Sequence, residues 1–372
     1  MLIHGKSTRS IWREEETGRV RIIDQTRLPH DIEIKTLEDA AAAIEAIKVM
    51  RVRGAPLIGA TAAHGLVLAL ESNPGDAALE DTAARIKAAR PTAINLAWAV
   101  DRVVSCVAEL APERRAARAL EEAVAICDED VASCEMIGNH GYEILEKIAS
   151  AKTMGKEERR PVNLLTHCNA GWLATVDWGT ALAPIYKAHA DGMPVHVWVD
   201  ETRPRNQGAS LTAFELREAG IPHTVIVDNA GGHLMQRGEV DAVIVGSDRT
   251  TATGDVCNKV GTYLKALAAF DNDIPFYVAL PLSTVDWEVE DGLHEIPIEE
   301  RGASEVREMT GRTASGELAK ISLFSEDSAV ANPAFDVTPA RFVTKLITDH
   351  GVCDATRAGL AGLRGGLGRR TS

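Results

Sequence analysis

Apolar positions recur with a helical period from Thr36 to about Lys147. TLEDAAAAIEAIKVM, APLIGATAAHGLVLAL, PTAINLAWAVDRVVSCVAEL and a long stretch from Glu113 onward predict successive helices. Thr36 with Asp39 three residues on reads as a capping box, and Pro91 suits a first helical position. Ahead of them, RVRIIDQTRLPHDIEIK (19–35) alternates enough to predict a small antiparallel strand pair. Residues 1–150 are therefore expected to form a mainly helical N-terminal domain with a short β entrance.

After the polar stretch KTMGKEERRP (152–161) the pattern changes to strand, loop and helix in repetition. Candidate strands are VNLLTHC (162–168), VHVWVDE (195–201), HTVIVDN (223–229), DAVIVGSD (241–248) and PFYVALP (275–281). Helical stretches such as GTALAPIYKAHA, SLTAFELREAG and NKVGTYLKALAAF separate them. Near-continuous apolar strands alternating with helices predict an α/β, Rossmann-like, doubly wound parallel sheet over residues 151–353. Residues 354–372, Gly- and Arg-rich and almost without acidic groups, are expected to be a flexible tail.

Chemistry in such sheets gathers outside the carboxyl ends of the strands. That rim collects Cys168, Asp200, Glu201, Asp228, Asn229 and Asp248. Cys168 ends one strand in the loop LLTHCNAGW, with His167 and Asn169 beside it. Asp248 ends another, followed by Asn258 and Lys259 in VIVGSDRTTATGDVCNKVGT. A strand ending in Cys is more often core than nucleophile, and an isolated Asp-Arg pair is more often a cap or an ion pair. Basic residues beside small ones add a second signal. Arg53 precedes a Gly-Ala-Pro turn that opens a helix, and Arg90 precedes Pro91, so a guanidinium and backbone N–H groups can face one anion. Lys259 adds a third cation, at the expected start of the next helix.

The bulk properties narrow the class further. The 372 residues carry 40 Lys and Arg against 54 Asp and Glu, a formal charge of −14, which disfavours a nucleic-acid surface but not a small anion. Neither a leader pattern nor an apolar run of about 20 residues stands out, so a cytoplasmic protein without membrane partners is expected. Cys106, Cys127, Cys134, Cys168, Cys257 and Cys353 lack zinc-ligand spacing, so structural zinc is not expected. A nicotinamide cofactor would want G-x-G-x-x-G after the first strand, and THCNAGWLA does not supply it.

RGAPLIG, RPTAINLAW, THCNAGWLAT, DETRPRNQGASLTAFEL, DNAGGHLM, GSDRTTATGDVCNKVGTY, IPFYVALPLSTVD, IPIEER and FDVTPA occur in this order. In these motifs the chain resembles the methylthioribose-1-phosphate isomerases, which are related to the regulatory subunits of the exchange factor for eukaryotic translation initiation factor two. The resemblance implies a homodimer with its site between the domains. It also implies conversion of 5-methylthioribose 1-phosphate to 5-methylthioribulose 1-phosphate in methionine salvage, with no metal and no cofactor. It further implies that Cys168 and Asp248 are catalytic, and that Arg53, Gly54, Ala55, Arg90, Gln207, Asn258 and Lys259 contact substrate. Asp248 would protonate the ring oxygen as the C1–O bond breaks. Hydrogen would then move from C2 to C1 either as a proton taken by Cys168 or as a hydride.

The chain departs from the family pattern beside Asp248. Ser247, Thr250 and Thr253 stand where alanine, isoleucine and asparagine are usual, and Cys257 where alanine is. Those departures open the identity of the 5-substituent, with 5-deoxyribose 1-phosphate as the leading variant. Two further alternatives are a ribose-1,5-bisphosphate isomerase, which needs an additional basic pocket, and a non-catalytic regulatory protein, which needs neither Cys168 nor Asp248.

Overall fold

A computed structural model describes residues 1–90, 93–154 and 160–367. The expected helix start at Pro91, the middle of the 152–161 stretch and residues 368–372 lie outside those described. Three antiparallel strands open the main body, β1 (Ile11–Arg13), β2 (Val20–Ile23) and β3 (Ile34–Leu37), one more than the alternation predicted. Thr36 lies within β3. Asp39 alone caps α1 (Ala40–Lys48), its carboxylate accepting from the Ala42 N–H at 2.7 Å, so the expected capping box is a simple N-cap.

Helices α2 (Ala55–Ser72), α3 (Asp76–Lys87), α4 (Ile94–Val107) and α5 (Pro112–Thr153) complete the first layer. Helix α2 is apolar and long enough to cross a membrane by composition, yet 67% of it is buried at the centre of this layer. Its Leu57, Ile58, Leu66 and Leu70 pack with Leu96, Val100 and Val103 of α4. Helix α5 spans 42 residues and serves both layers. Ala119, Ala123 and Ile126 belong to the first core, and Ile137 and Leu145 to the next. The change of core thus falls inside one continuous helix, which runs through residue 150, where the sequence pattern ends the first domain.

The second layer is a seven-stranded sheet. Its strands are β4 (Val162–Thr166), β5 (Val195–Asp200), β6 (His223–Ile226), β7 (Ala242–Val245), β8 (Phe276–Ala279), β9 (Lys345–Thr348) and β10 (Gly351–Cys353). Their order in space is β10-β9-β8-β7-β4-β5-β6, all parallel except β10. Chain order reverses between β4 and β7, which makes their carboxyl ends the topological switch point of a doubly wound sheet. Helices α6 (Ala183–Ala190), α7 (Ala213–Glu218), α8 (Ala230–Gln236) and α9 (Thr262–Asp271) connect or cover the strands.

Two features depart from the local pattern. Asn258 and Lys259 are not at a helix start: they end the strand Val256–Lys259, which pairs antiparallel with Phe335–Thr338 some eighty residues later. Helix α9 begins only at Thr262, with Asp336 accepting the Gly261 and Tyr263 N–H groups. The expected tail is also corrected, because Arg357–Leu367 forms α10. Leu360 there is fully buried against the sheet, so one apolar face overcomes the glycine content that argued for disorder.

Candidate active site at the switch point

Cys168 follows β4 and Asp248 follows β7, so the two residues flank the switch point from adjacent strands. Together with Arg53, Gly54, Arg90, Gln207 and Lys259 they line one small cavity of about 30 Å³. Seven of the nine residues implicated by the sequence therefore meet, although they lie as far apart as residues 53 and 259. Ala55, the first residue of α2, and Asn258 are set back from that wall; the Asn258 amide instead donates to Thr262 Oγ1 at 3.0 Å.

Cys168 is held in a left-handed backbone conformation, φ 67°, unusual for a residue with a side chain. Two buried threonines fix it: the Cys168 N–H donates to Thr202 Oγ1 at 2.8 Å, and Thr212 Oγ1 donates to the Cys168 carbonyl at 2.7 Å. The turn aims the thiol at the cavity rather than at the core. His167 points elsewhere, its ring nitrogens 2.8 Å from Asp200 and 2.8 Å from the Val260 carbonyl, as strand alternation predicts. His167, Asp200 and Asp228 cluster as metal ligands can, but the Lys265 ammonium lies 3.2 Å from Asp200 and bonds the Asp228 carbonyl, so a cation already occupies that position.

Arg53 comes from the first layer and docks on the Cys168 loop. Its guanidinium donates to Asn169 Oδ1 at 2.6 Å and to the Asn169 carbonyl at 2.9 Å, and lies 3.8 Å from Cys168 Sγ. The layers fit here because residue 54 has no side chain. Gly54 has φ 90°, and a Cβ on it would sit 2.2 Å from the Ala174 carbonyl oxygen. Gly54→Ala is therefore expected to cost about 3 kcal/mol of stability from strain and overlap. Turnover should fall with it as Arg53 shifts; chemical denaturation and an activity assay on the same preparation check both.

Sequence reading missed two further cations in the wall, Arg205 and Arg301. Both lie in motifs that the family resemblance had already marked, TRPRNQG and IPIEER, so the signal was present but had no partner in sequence. Glu305 bridges them, 2.8 Å from Arg205 and 2.7 Å from Arg301, while Glu299 bridges Arg301 at 2.7 Å and Arg90 at 3.2 Å. Burial raises the Glu305 pKa, but Arg301 and Arg205 outweigh it and hold the carboxylate at about 2. Arg90 and Arg301 likewise hold Glu299 low against its burial.

Burial acts in the opposite sense on the central groups. It pushes the Cys168 thiol above its ordinary value, with Arg53 and Lys259 opposing. It also pushes Asp248 up, against Arg53, Arg90 and Lys259, and lowers Lys259, which is 4% exposed. Cations outnumber the carboxylates Asp248, Glu299 and Glu305, leaving positive charge suited to a phosphate dianion. Arg90 Nε and Gln207 Oε1 are buried without a partner among the described residues, as groups awaiting a ligand would be.

The residues that depart from the family pattern lie off the cavity wall. Ser247 Oγ and Thr250 Oγ1 bond each other at 2.9 Å, Thr251 Oγ1 bonds Thr253 Oγ1, and Thr253 also donates to the Glu290 carbonyl. Their hydroxyls satisfy one another around the short strand Arg249–Thr251, which follows Asp248.

Comparison with known proteins places these residues in a family setting. The model of the Initiation factor 2 subunit family matches residues 51–355. A methylthioribose-1-phosphate isomerase of Rhodospirillum rubrum is 61% identical over 363 residues, 98% of this chain and 93% of the relative. One of Methylorubrum populi is 62% identical over 363 residues, 98% of each. Among solved structures, a 5-methylthioribose 1-phosphate isomerase from Pyrococcus horikoshii superposes with a TM-score of 0.81 at 38% identity, covering 97% of this chain and 96% of that one. The delta subunit of the translation initiation factor eIF-2B from A. fulgidus superposes with a TM-score of 0.76 at 37% identity, covering 94% and 96%.

Proposed function

The chain belongs to the Initiation factor 2 subunit family and, within it, to the methylthioribose-1-phosphate isomerases, and from that membership we propose how its cavity works. It is an aldose–ketose isomerase acting on 5-methylthioribose 1-phosphate. The observation that carries the mechanism is the meeting of Cys168 and Asp248 across the switch point, inside a ring of cations.

Arg53, Arg90 and Lys259 hold the 1-phosphate, with Gln207 Oε1 accepting from a sugar hydroxyl. The phosphate offsets the cations that oppose protonation of Asp248, so bound substrate favours the acid form that catalysis requires. Asp248 gives its proton to the ring oxygen as the C1–O4 bond breaks, leaving an oxocarbenium-like centre at C1. A hydride passes from C2 to C1, the C2 hydroxyl returns its proton to Asp248, and the 2-ketose results. Cys168, kept a thiol by burial, faces C1 and C2 as a polarisable, uncharged group against the developing cation. That protonation state favours hydride transfer over abstraction by a thiolate. Met50 in the wall, with Leu28, Leu211 and Met309 in the adjoining groove, offers an apolar surface for the methylthio group.

Arg205 and Arg301 do not make a second phosphate pocket, because Glu305 and Glu299 already hold them. Family membership supports a cytoplasmic homodimer with neither nucleic acid nor membrane among its partners.

Incubating the protein with 5-methylthioribose 1-phosphate in D2O, with 5-deoxyribose 1-phosphate in parallel, tests the reading by NMR. The methylthio substrate should give ketose that retains its own hydrogen at C1. No turnover by folded protein would sink the isomerase assignment, and solvent deuterium at C1 would sink the hydride route alone.

A further inference from the structure

We propose that Glu215 of α7, which lies outside the cavity wall, is a positioning residue that fixes Arg53 against Cys168 by setting the orientation of the Asn169 amide. Glu215 is 1% exposed and receives four donors. Its Oε1 accepts from Asn169 Nδ2 at 2.8 Å and from the Leu173 N–H at 3.0 Å; its Oε2 accepts from the Trp172 N–H at 2.9 Å and from the Tyr186 hydroxyl at 2.5 Å. A carboxylate has about four acceptor sites and no donor, so it suits this environment as an amide would not.

The consequence reaches the thiol in two steps. An Asn amide is nearly symmetric in shape, and only its partners decide which end is oxygen. Because Glu215 can only accept, Nδ2 must face it, and Oδ1 is left to receive Arg53 Nη1 at 2.6 Å. The reversed amide would set an N–H against the guanidinium. With the amide fixed, the second guanidinium nitrogen reaches the Asn169 carbonyl and lies 3.8 Å from Cys168 Sγ. Residue 171 shows independently that the loop is shaped around this carboxylate: a Cβ on Gly171 would fall 1.8 Å from Glu215 Oε2. Burial pushes the Glu215 pKa up, and the four donors oppose it.

The turnover consequence rests on the proposed role of Arg53 in holding the 1-phosphate; the thiol consequence does not. The test is therefore the rate of iodoacetamide modification of Cys168 against pH, read by mass spectrometry, alongside turnover, in full-length Glu215→Gln. We expect the midpoint to rise by about one pH unit as the guanidinium loosens, and turnover to fall roughly ten- to hundredfold. Asn169→Leu should give the same midpoint, and the double variant should go no further, because the two act in series. Tyr186→Phe, which removes a donor without touching Asn169, should keep the wild-type midpoint. A wild-type midpoint in folded Glu215→Gln, an additive double variant, or an equal shift in Tyr186→Phe would each overturn the proposal. If Glu215→Gln does not fold, Asn169→Leu decides alone, and an unchanged midpoint there overturns it. A shifted midpoint with unchanged turnover would leave Glu215 as the residue that positions Arg53 and remove Arg53 from the phosphate site.

Discussion

Cys168→Ser should lower ketose formation by about 10²- to 10³-fold, the usual cost of removing one group that stabilises a developing charge, while the protein stays folded. Serine keeps the shape of the side chain but replaces a large, polarisable sulfur with a small oxygen. The backbone at residue 168 is held by Thr202 and Thr212 rather than by the side chain, so the φ 67° turn should survive the change. Cys353→Ser is the matched control. Cys353 is also buried, but it sits in β10 with Val343, Leu346 and Leu360, away from the cavity. Its replacement should leave turnover near the wild-type value. Loss of activity in both variants, or in neither, would remove the special role of Cys168; circular dichroism on each preparation separates chemistry from folding.

Asp248→Asn should be at least as damaging, with a loss of about 10²- to 10⁴-fold, because the amide can neither deliver the proton to the ring oxygen nor take one from the C2 hydroxyl. The pH dependence gives a second readout with a definite sign. Burial raises the folded-state pKa of Asp248, and in the proposed mechanism the acid form is the active one. Turnover should therefore hold at pH values below that pKa and decline as pH rises through it; the variant should lack this limb. With pH, the contribution of Asp248 to stability should move in the same direction as activity, and in the variant the two should part. A carboxyl group whose pKa is raised by folding favours the native state below its unfolded value and withdraws that contribution as pH rises through the folded value. Above the folded pKa the wild type bears the cost of a buried charge, whereas the neutral amide of the variant does not, so the melting temperature there should not fall. A variant that loses activity only by unfolding would refute the acid role.

The parts of the protein that sequence made legible are those governed by local periodicity. The helical period of residues 55–72 and 94–107 and the apolar runs of β4, β5, β7 and β8 appear where the pattern put them, because each element buries a continuous face whatever its neighbours. Loop positions at strand ends were equally legible, which is why Cys168 and Asp248 could be chosen. The misreadings occur where a distant segment overrides local preference. Asn258 and Lys259 become strand because Phe335–Thr338 pairs with them. Thr36 does so because β3 completes a sheet with β2. Residues 357–367 order because Leu360 finds a buried site.

The sequence by itself determined the α/β class, the two chemical groups and most of the cations that face them, since residue type and strand-end position follow from local pattern and composition. Only the tertiary structure decided what those groups do to one another. Strand order set β4 beside β7 and so brought Cys168 to Asp248. Closure of the helical layer brought Arg53 to the thiol, and burial of the shared cavity raised both proton affinities. Distances between segments a hundred or more residues apart, and the exclusion of water between them, belong to the assembled chain and leave no periodic trace in its sequence.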